Sequence, residues 1–335
     1  GAIGLSSEAV ADLFEITGPI ELPERKLAFN KENFLTEIQK QVEVNREKNV
    51  SQPKKILSEL VPLMLEKLSA LQGADKEKVF TLFENWLRKR DMTFYFKDPE
   101  FAKFFDYYGW TGKVAALPPN FRGDYFAVVN SNIGGGKTDI FVRQKTFFQS
   151  HIDAEGTVSN HVSIERTHEG NKSSYGWYRV PNQTYTKIYT PPVVKLENFT
   201  GGFEKKITAP TNYKEYATDD LILSLEATVK EYLGQPAVRS FEEYGRNAFA
   251  FWSKVDAGKT AILTLDYTRR LPSPPATGQK YQFIFERQSG SQGSYKFEIN
   301  SPIGFRWREN GLPVFEYETD DPDGRISLEL TLKKI

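Results

Sequence analysis

Residues 130–139 read Asn-Ser-Asn-Ile-Gly-Gly-Gly-Lys-Thr-Asp and come nearest in this chain to a known chemistry, the cradling of a phosphate. A phosphate loop follows a strand, reads G-x-x-x-x-G-K-[ST], and opens a helix whose first N–H groups hold the anion. The run Tyr125-Phe126-Ala127-Val128-Val129 supplies a strand, and Gly136-Lys137-Thr138 supplies the end of the motif. Ser131 stands where the first glycine belongs, and residues 139–148 are rich in β-branched and aromatic side chains, which favour strand over helix. A nucleotide site is therefore not expected. Two readings stay open. Gly134, Gly135 and Gly136 can turn their N–H groups into an anion-binding nest, with Lys137 adding charge. Alternatively, Asn130, Asn132 and Asp139 cap local turns with no ligand at all, the favoured reading.

The three histidines, His151, His161 and His168, lie in or beside one expected hairpin. A metal site needs several donors converging at about 2 Å. His161 and His168 are an odd number of positions apart, so a regular strand points them to opposite faces. No metal is expected. Arg166 can hold a phosphate through two parallel hydrogen bonds; pairing with neighbours of Glu165 on the sheet surface is favoured. Asp320, Asp321 and Asp323 miss the calcium-loop pattern, which needs an acid at Thr319 and a glutamate at Leu330. No serine sits in a G-x-S-x-G elbow. No catalytic residue and no cofactor emerge from the sequence.

Residues 130–139 resemble the N-x-N-x-G-G-K-[ST]-D signature of a bacterial family known as domain of unknown function 4012. Further blocks occur in the family's order. Ile16 to Pro23 followed by Glu32-Asn33-Phe34 resembles its "tGPi-lp…eNf" block, and Tyr108 to Lys113 its "gW-G" turn. Gly156 with Arg166-Thr167-His168 is similar to its "dG…r-h" hairpin, and Val255 to Tyr267 to its "v-pG-t…l-Y" segment. Gln288-Ser289-Gly290 resembles its "QpG" turn, with serine in place of proline. The resemblance implies the outward-facing ectodomain of a membrane-anchored bacterial envelope protein, with a structural or binding role. The family's anchor helix and "N-x-x-E-[LI]-R" block are not in this chain, which starts without Met inside an expected strand, so a shortened or processed product is expected. A weaker similarity to LytR-CpsA-Psr glycopolymer transferases implies the alternative, an enzyme moving phospho-glycans from a polyprenyl carrier. Of the arginines that such a carrier site needs, only Arg46, Lys54 and Lys55 offer counterparts. The implied partners are a surface glycan, a lipid-linked carrier or another envelope protein, with membrane contact only through an anchor upstream of Gly1.

Composition narrows the classes. Lys plus Arg equals Asp plus Glu, 44 against 44, so no bulk positive field draws nucleic acid or an anionic membrane. Zero cysteines exclude disulfides, thiolate metal sites and thiol nucleophiles. No apolar run is long enough to span a bilayer. The 14% aromatic content reads first as strand-rich core.

The elements that must position these residues divide by period. Apolar residues recur at helical spacing over Phe34, Leu35, Ile38 and Val42 after an Asn30 cap, and over Leu57, Leu60, Val61, Met64, Leu68 and Leu71, with Pro62 expected to kink or restart the second helix. A third helix starts near Asp75. Asp98-Pro99 is a strong start for a fourth, with Phe101, Phe104, Phe105 and Tyr108 on its apolar face. From Trp110 the period becomes that of strands. Residues 140–152 and 157–167 form the clearest hairpin, and Asp321-Pro322-Asp323-Gly324 reads as a second hairpin turn. The expectation is an α+β protein: an α+β domain at 1–108, incomplete at its N-terminus, a central antiparallel β-rich region at 109–235, and an immunoglobulin-like β-sandwich at 236–335.

Overall fold

The computed structural model describes residues 1–47, 54–208 and 211–335. The protein is α+β, with helices gathered early and antiparallel strands dominating the rest. It divides into two compact units, Gly1–Lys113 and Val114–Ile335.

The first unit runs β1 (Ala2–Leu5), α1 (Ser7–Asp12), α2 (Phe14–Thr17), β2 (Ile20–Leu22), β3 (Leu27–Phe29), α3 (Phe34–Glu47), α4 (Lys55–Ala70), α5 (Ala74–Lys89), β4 (Met92–Tyr95) and α6 (Pro99–Tyr107). Asn30 and Asn33 exchange side-chain-to-backbone hydrogen bonds of 2.9 Å before α3, a reciprocal cap. α4 continues through Pro62 as one element. Ile56, Leu60 and Met64 form its buried stripe, while Pro62 and Ser58 lie on the exposed face, so the carbonyl that proline leaves without a donor is not in the core. Asp98 caps α6 by accepting from Glu100 N–H and Phe101 N–H at 2.9 and 3.1 Å. Only part of the expected apolar face of α6 turns inward: Phe105 packs tilted against Phe94 and Phe96, whereas Phe101, Phe104 and Tyr108 stay exposed. β1 pairs antiparallel with β4, as a strand there required, but all four of its residues are exposed, so it adds pairing and little core.

The second unit runs β5 (Gly123–Asn132), β6 (Val142–Ile152), β7 (Thr157–His168), β8 (Asn182–Thr190), β9 (Lys195–Thr200), α7 (Asp220–Glu226), β10 (Lys230–Glu231), β11 (Val238–Glu243), β12 (Arg246–Val255), β13 (Thr260–Arg270), β14 (Lys280–Glu286), β15 (Ser294–Asn300), β16 (Phe305–Trp307), β17 (Val314–Thr319) and β18 (Arg325–Lys334). One sheet has the order β10-β11-β12-β8-β5-β14-β18-β16, the other β17-β15-β6-β7-β13-β9. Between them lies one core of phenylalanines, with Phe126, Phe148, Phe283 and Phe297 in a chain of ring contacts near 5 Å. Twelve buried aromatic residues of the second unit have this simple use.

Residues 236–335 do not close on themselves as a separate sandwich. β12 pairs with β8, β13 with β7 and β9, β14 with β5, and β15 with β6. Each half of the second unit contributes to both sheets. Turn spacing shows where strands end, but it does not show which strand each will pair with. The two parallel contacts, β5–β14 and β6–β15, stitch the halves together, and Gly123 is needed at the first. A Cβ there would stand 1.8 Å from Gln282 O. The Asp321–Gly324 turn likewise carries the chain from β17 in one sheet to β18 in the other, so it is no hairpin, and Gly324 does not take a positive φ.

Candidate functional site

Strand alternation decides which side chains enter the space between the sheets. β5 buries Asp124, Phe126 and Val128 and carries Asn130 and Asn132 at its end; β6 buries Gln144, Thr146, Phe148, Ser150 and Ile152; β7 buries Val158, Asn160, Val162, Ile164, Arg166 and His168. β8 adds Asn182, Thr184, Thr186 and Ile188. The interior is thus apolar in the middle and polar at both ends.

At the end beside residues 133–141, Arg166 from one sheet reaches across to the other. Its guanidinium donates to Thr184 Oγ1 at 2.8 Å, Ser253 Oγ at 3.1 Å and Asn182 Oδ1 at 2.8 Å. Asn182 Nδ2 then donates to Thr138 Oγ1 at 2.9 Å and Asp139 Oδ1 at 2.7 Å. Asp139 Oδ2 accepts from Asn132 Nδ2 at 2.9 Å, and Asn132 Oδ1 accepts from Gly135 N–H at 2.9 Å. On the other side Thr186 Oγ1 donates to Asn130 Oδ1 at 2.9 Å, and Asn130 Nδ2 donates to Gln144 Oε1 at 2.9 Å. Burial pushes the Arg166 guanidinium down to about 10, against the pull of the Asp139 charge. Among the described residues no carboxylate lies within ion-pair distance of Arg166; Asn182 relays between it and Asp139.

The glycines have structural reasons. Gly134 and Gly136 take positive φ, 83° and 64°. A Cβ on Gly135 would stand 2.4 Å from Gln183 N, and one on Gly136 would stand 2.6 Å from Val180 Cγ2. The Gly135 N–H is already used by Asn132, so it is not free to help form a nest. Thr138–Phe141 is a single 3-10 turn leading straight into β6, so the loop does not open an α-helix.

The structure thus brings Asn130, Asn132, Gly135, Thr138, Asp139 and Arg166 into one network. It corrects the expected place of Arg166, which is 4% exposed and lies inside the sandwich rather than on the sheet surface. Lys137 is half-buried beside the network. His168 is buried, accepting from Gly170 N–H at Nδ1 and donating from Nε2 to Val180 O, each at 3.0 Å. This pair of contacts assigns the Nε2–H tautomer. His161 faces outward and meets Asp266 Oδ1 at 2.6 Å. Among the described residues no histidine and acidic side chains cluster to hold a metal. Lys54 and Lys55 are exposed at the start of α4, and the Arg46 side chain lies outside the described residues.

Several partners were not singled out from the sequence: Asn182, Thr184, Thr186, Ser253 and Gln144. The signal was present in the alternation of Asn182, Thr184 and Thr186, polar at every second position. The loop that packs over residues 130–139 was also missed as a unit. It carries Tyr175 and Trp177, whose rings stack at 4.7 Å and 16°.

At the far end of the interior Asp124, 0% exposed, accepts from Tyr281 Oη, from Asn160 Nδ2 at 3.2 Å and from Ser150 Oγ at 3.3 Å. Burial raises its pKa, while Arg269, whose Nη1 is 4.0 Å away, and these donors oppose the rise. The cluster joins β5 and β14 of one sheet to β6 and β7 of the other.

No known family's sequence profile matches the chain, and no curated protein matches it. Among solved structures it is similar to a protein described as nutrient binding from Legionella pneumophila, with 8% identity, TM-score 0.34, and coverage of 63% of this chain and 71% of that one. It is also similar to an M1 zinc metallopeptidase from Deinococcus radiodurans, with 9% identity, TM-score 0.25, and coverage of 57% of this chain and 43% of that one. Likenesses this weak carry no argument about function.

Proposed function

We propose that the protein is the extracytoplasmic ectodomain of a bacterial envelope protein with a binding or structural role, in line with the resemblance carried by residues 130–139. The observation that supports this reading is the joint use of that segment. Asn130, Asn132, Gly135 and Asp139, together with the Arg166 of the resembling hairpin block, brace one end of a two-sheet platform. A signature spent on bracing fits a display or binding scaffold better than a phosphate cradle, which must leave its amides open. Protease treatment of intact source cells, followed by detection with an antibody to residues 114–335, tests it. Removal of the epitope from intact cells is expected. Protection in intact cells and release only after lysis would refute the envelope reading. The transferase alternative predicts transfer of a phospho-glycan from a polyprenyl carrier by the purified chain, and no transfer is expected.

A further inference from the structure

One end of the second unit carries an aromatic and basic surface that the buried network does not use. Gly136 packs against the backbone of Trp177 and the side chain of Val180. The Phe141 ring meets the Tyr178 ring edge-on at 4.9 Å, and Glu169 N–H donates to Phe141 O at 2.8 Å. Gly170 is pressed against Tyr178 O. The segments 133–143 and 169–183 therefore form one packed surface. On it the Tyr175 and Trp177 rings stack, both half-buried, with the Trp177 indole nitrogen turned inward. Lys172 and Arg179 flank them in the chain, both exposed. Arg143 is taken by Glu169 at 3.5 Å, and Asp139 is turned into the network. Among the described residues no carboxylate lies within ion-pair distance of Lys172 or Arg179.

We infer that this surface binds an anionic glycan, with sugar rings lying on the Tyr175–Trp177 stack and acidic groups meeting Lys172 and Arg179. The inference rests on the envelope reading and gives it a ligand class. A stacked aromatic pair offers a flat apolar face to the C–H face of a sugar, and two unpaired cations select acidic over neutral chains. A nucleic acid fits less well, because the chain as a whole is neutral, 44 charges of each sign, and offers no wide basic field. The rigid brace beneath is what such a site requires, since pre-organised loops lose little freedom on binding.

The test uses the full chain, with calorimetry and affinity electrophoresis against polygalacturonate, neutral dextran and phosphatidylglycerol vesicles. Polygalacturonate is expected to bind, dextran not, and binding is expected to weaken as salt rises. Lys172→Ala/Arg179→Ala is expected to weaken binding by at least about tenfold at an unchanged melting temperature; Trp177→Ala is expected to weaken it as much, with Trp177→Phe restoring most of it. A control pair on other strands, Lys145→Ala/Lys280→Ala, is expected to change binding less than about twofold. Equal binding to dextran, binding to vesicles but not to polygalacturonate, no binding at all, or an equal loss in the control pair would each overturn the inference. These outcomes are independent of the protease-accessibility result, so the ligand can fail while the envelope reading stands.

Discussion

The side chain of Gln288 hydrogen-bonds both backbone groups of Asn130. Its Oε1 accepts from Asn130 N–H at 2.9 Å and its Nε2 donates to Asn130 O at 3.1 Å. One amide side chain thus imitates a neighbouring strand where β14 has ended and β5 continues. Removing it leaves two partly buried backbone groups without their partner. Gln288→Ala is expected to lower stability by about 1–3 kcal/mol, two net hydrogen bonds' worth, with an unchanged denaturant slope. Urea unfolding measures it, and a loss below about 0.3 kcal/mol would mean that water replaces the amide at no cost.

Arg166 is buried without a carboxylate in contact, so its removal trades two effects. Desolvation of the charge is relieved, but Asn182 Oδ1 loses its donor, while Thr184 and Ser253 keep each other at 2.8 Å. A buried acceptor left unpaired costs more than the relief returns. Arg166→Met is expected to destabilise by about 1–3 kcal/mol. With Asn182→Leu added, the double variant should fall short of the sum of the two single losses by about 1 kcal/mol or more. Additive losses would show that the two side chains are not coupled.

Asp124 makes stability depend on pH in a stated direction. Burial raises its folded pKa, so the folded state holds this proton more tightly than the unfolded chain does. The contribution is fully present below the unfolded carboxylate value of about 4 and is lost as pH rises from there through the folded pKa. Tyr267, Tyr281 and Arg269 are the other titratable groups acting on it. Asp124→Asn removes the titration, and Asn160, whose Oδ1 is unpartnered, can turn to accept from the new amide. Wild type is expected to lose stability relative to Asp124→Asn as pH rises above about 4, by about 1.4 kcal/mol per unit of elevation. Urea midpoints of both proteins between pH 3.5 and 8 give the difference curve. A flat or rising curve would contradict it.

The interleaved sheets predict how fragments behave. Residues 114–335 alone are expected to show a β-type circular dichroism spectrum and a cooperative melt, because both sheets lie within them. Residues 236–335 alone are expected to show neither, since β12, β13, β14 and β15 lose their partners β8, β7, β9, β5 and β6. A cooperative transition in the shorter fragment would mean that it can close on itself after all.

What the sequence determined by itself was local. The Asp98-Pro99 start, the Asn30 cap, the hairpin of β6 and β7, and the use of residues 130–139 as a turn before a strand all follow from contacts within a few residues or across one tight turn. The burial of Arg166 was also legible, since Val158, Val162 and Ile164 share its parity on β7; its charge argued the other way, and the alternation prevailed. Only the tertiary structure decided that Phe251 would lie opposite Thr186 and Phe285 beside Phe126, and hence that residues 236–335 would not be a sandwich of their own. The physical reason is that strands pair through main-chain groups common to every residue. A strand's composition says that it will be paired and which face it buries, while the choice of partner depends on how distant segments together fill one core.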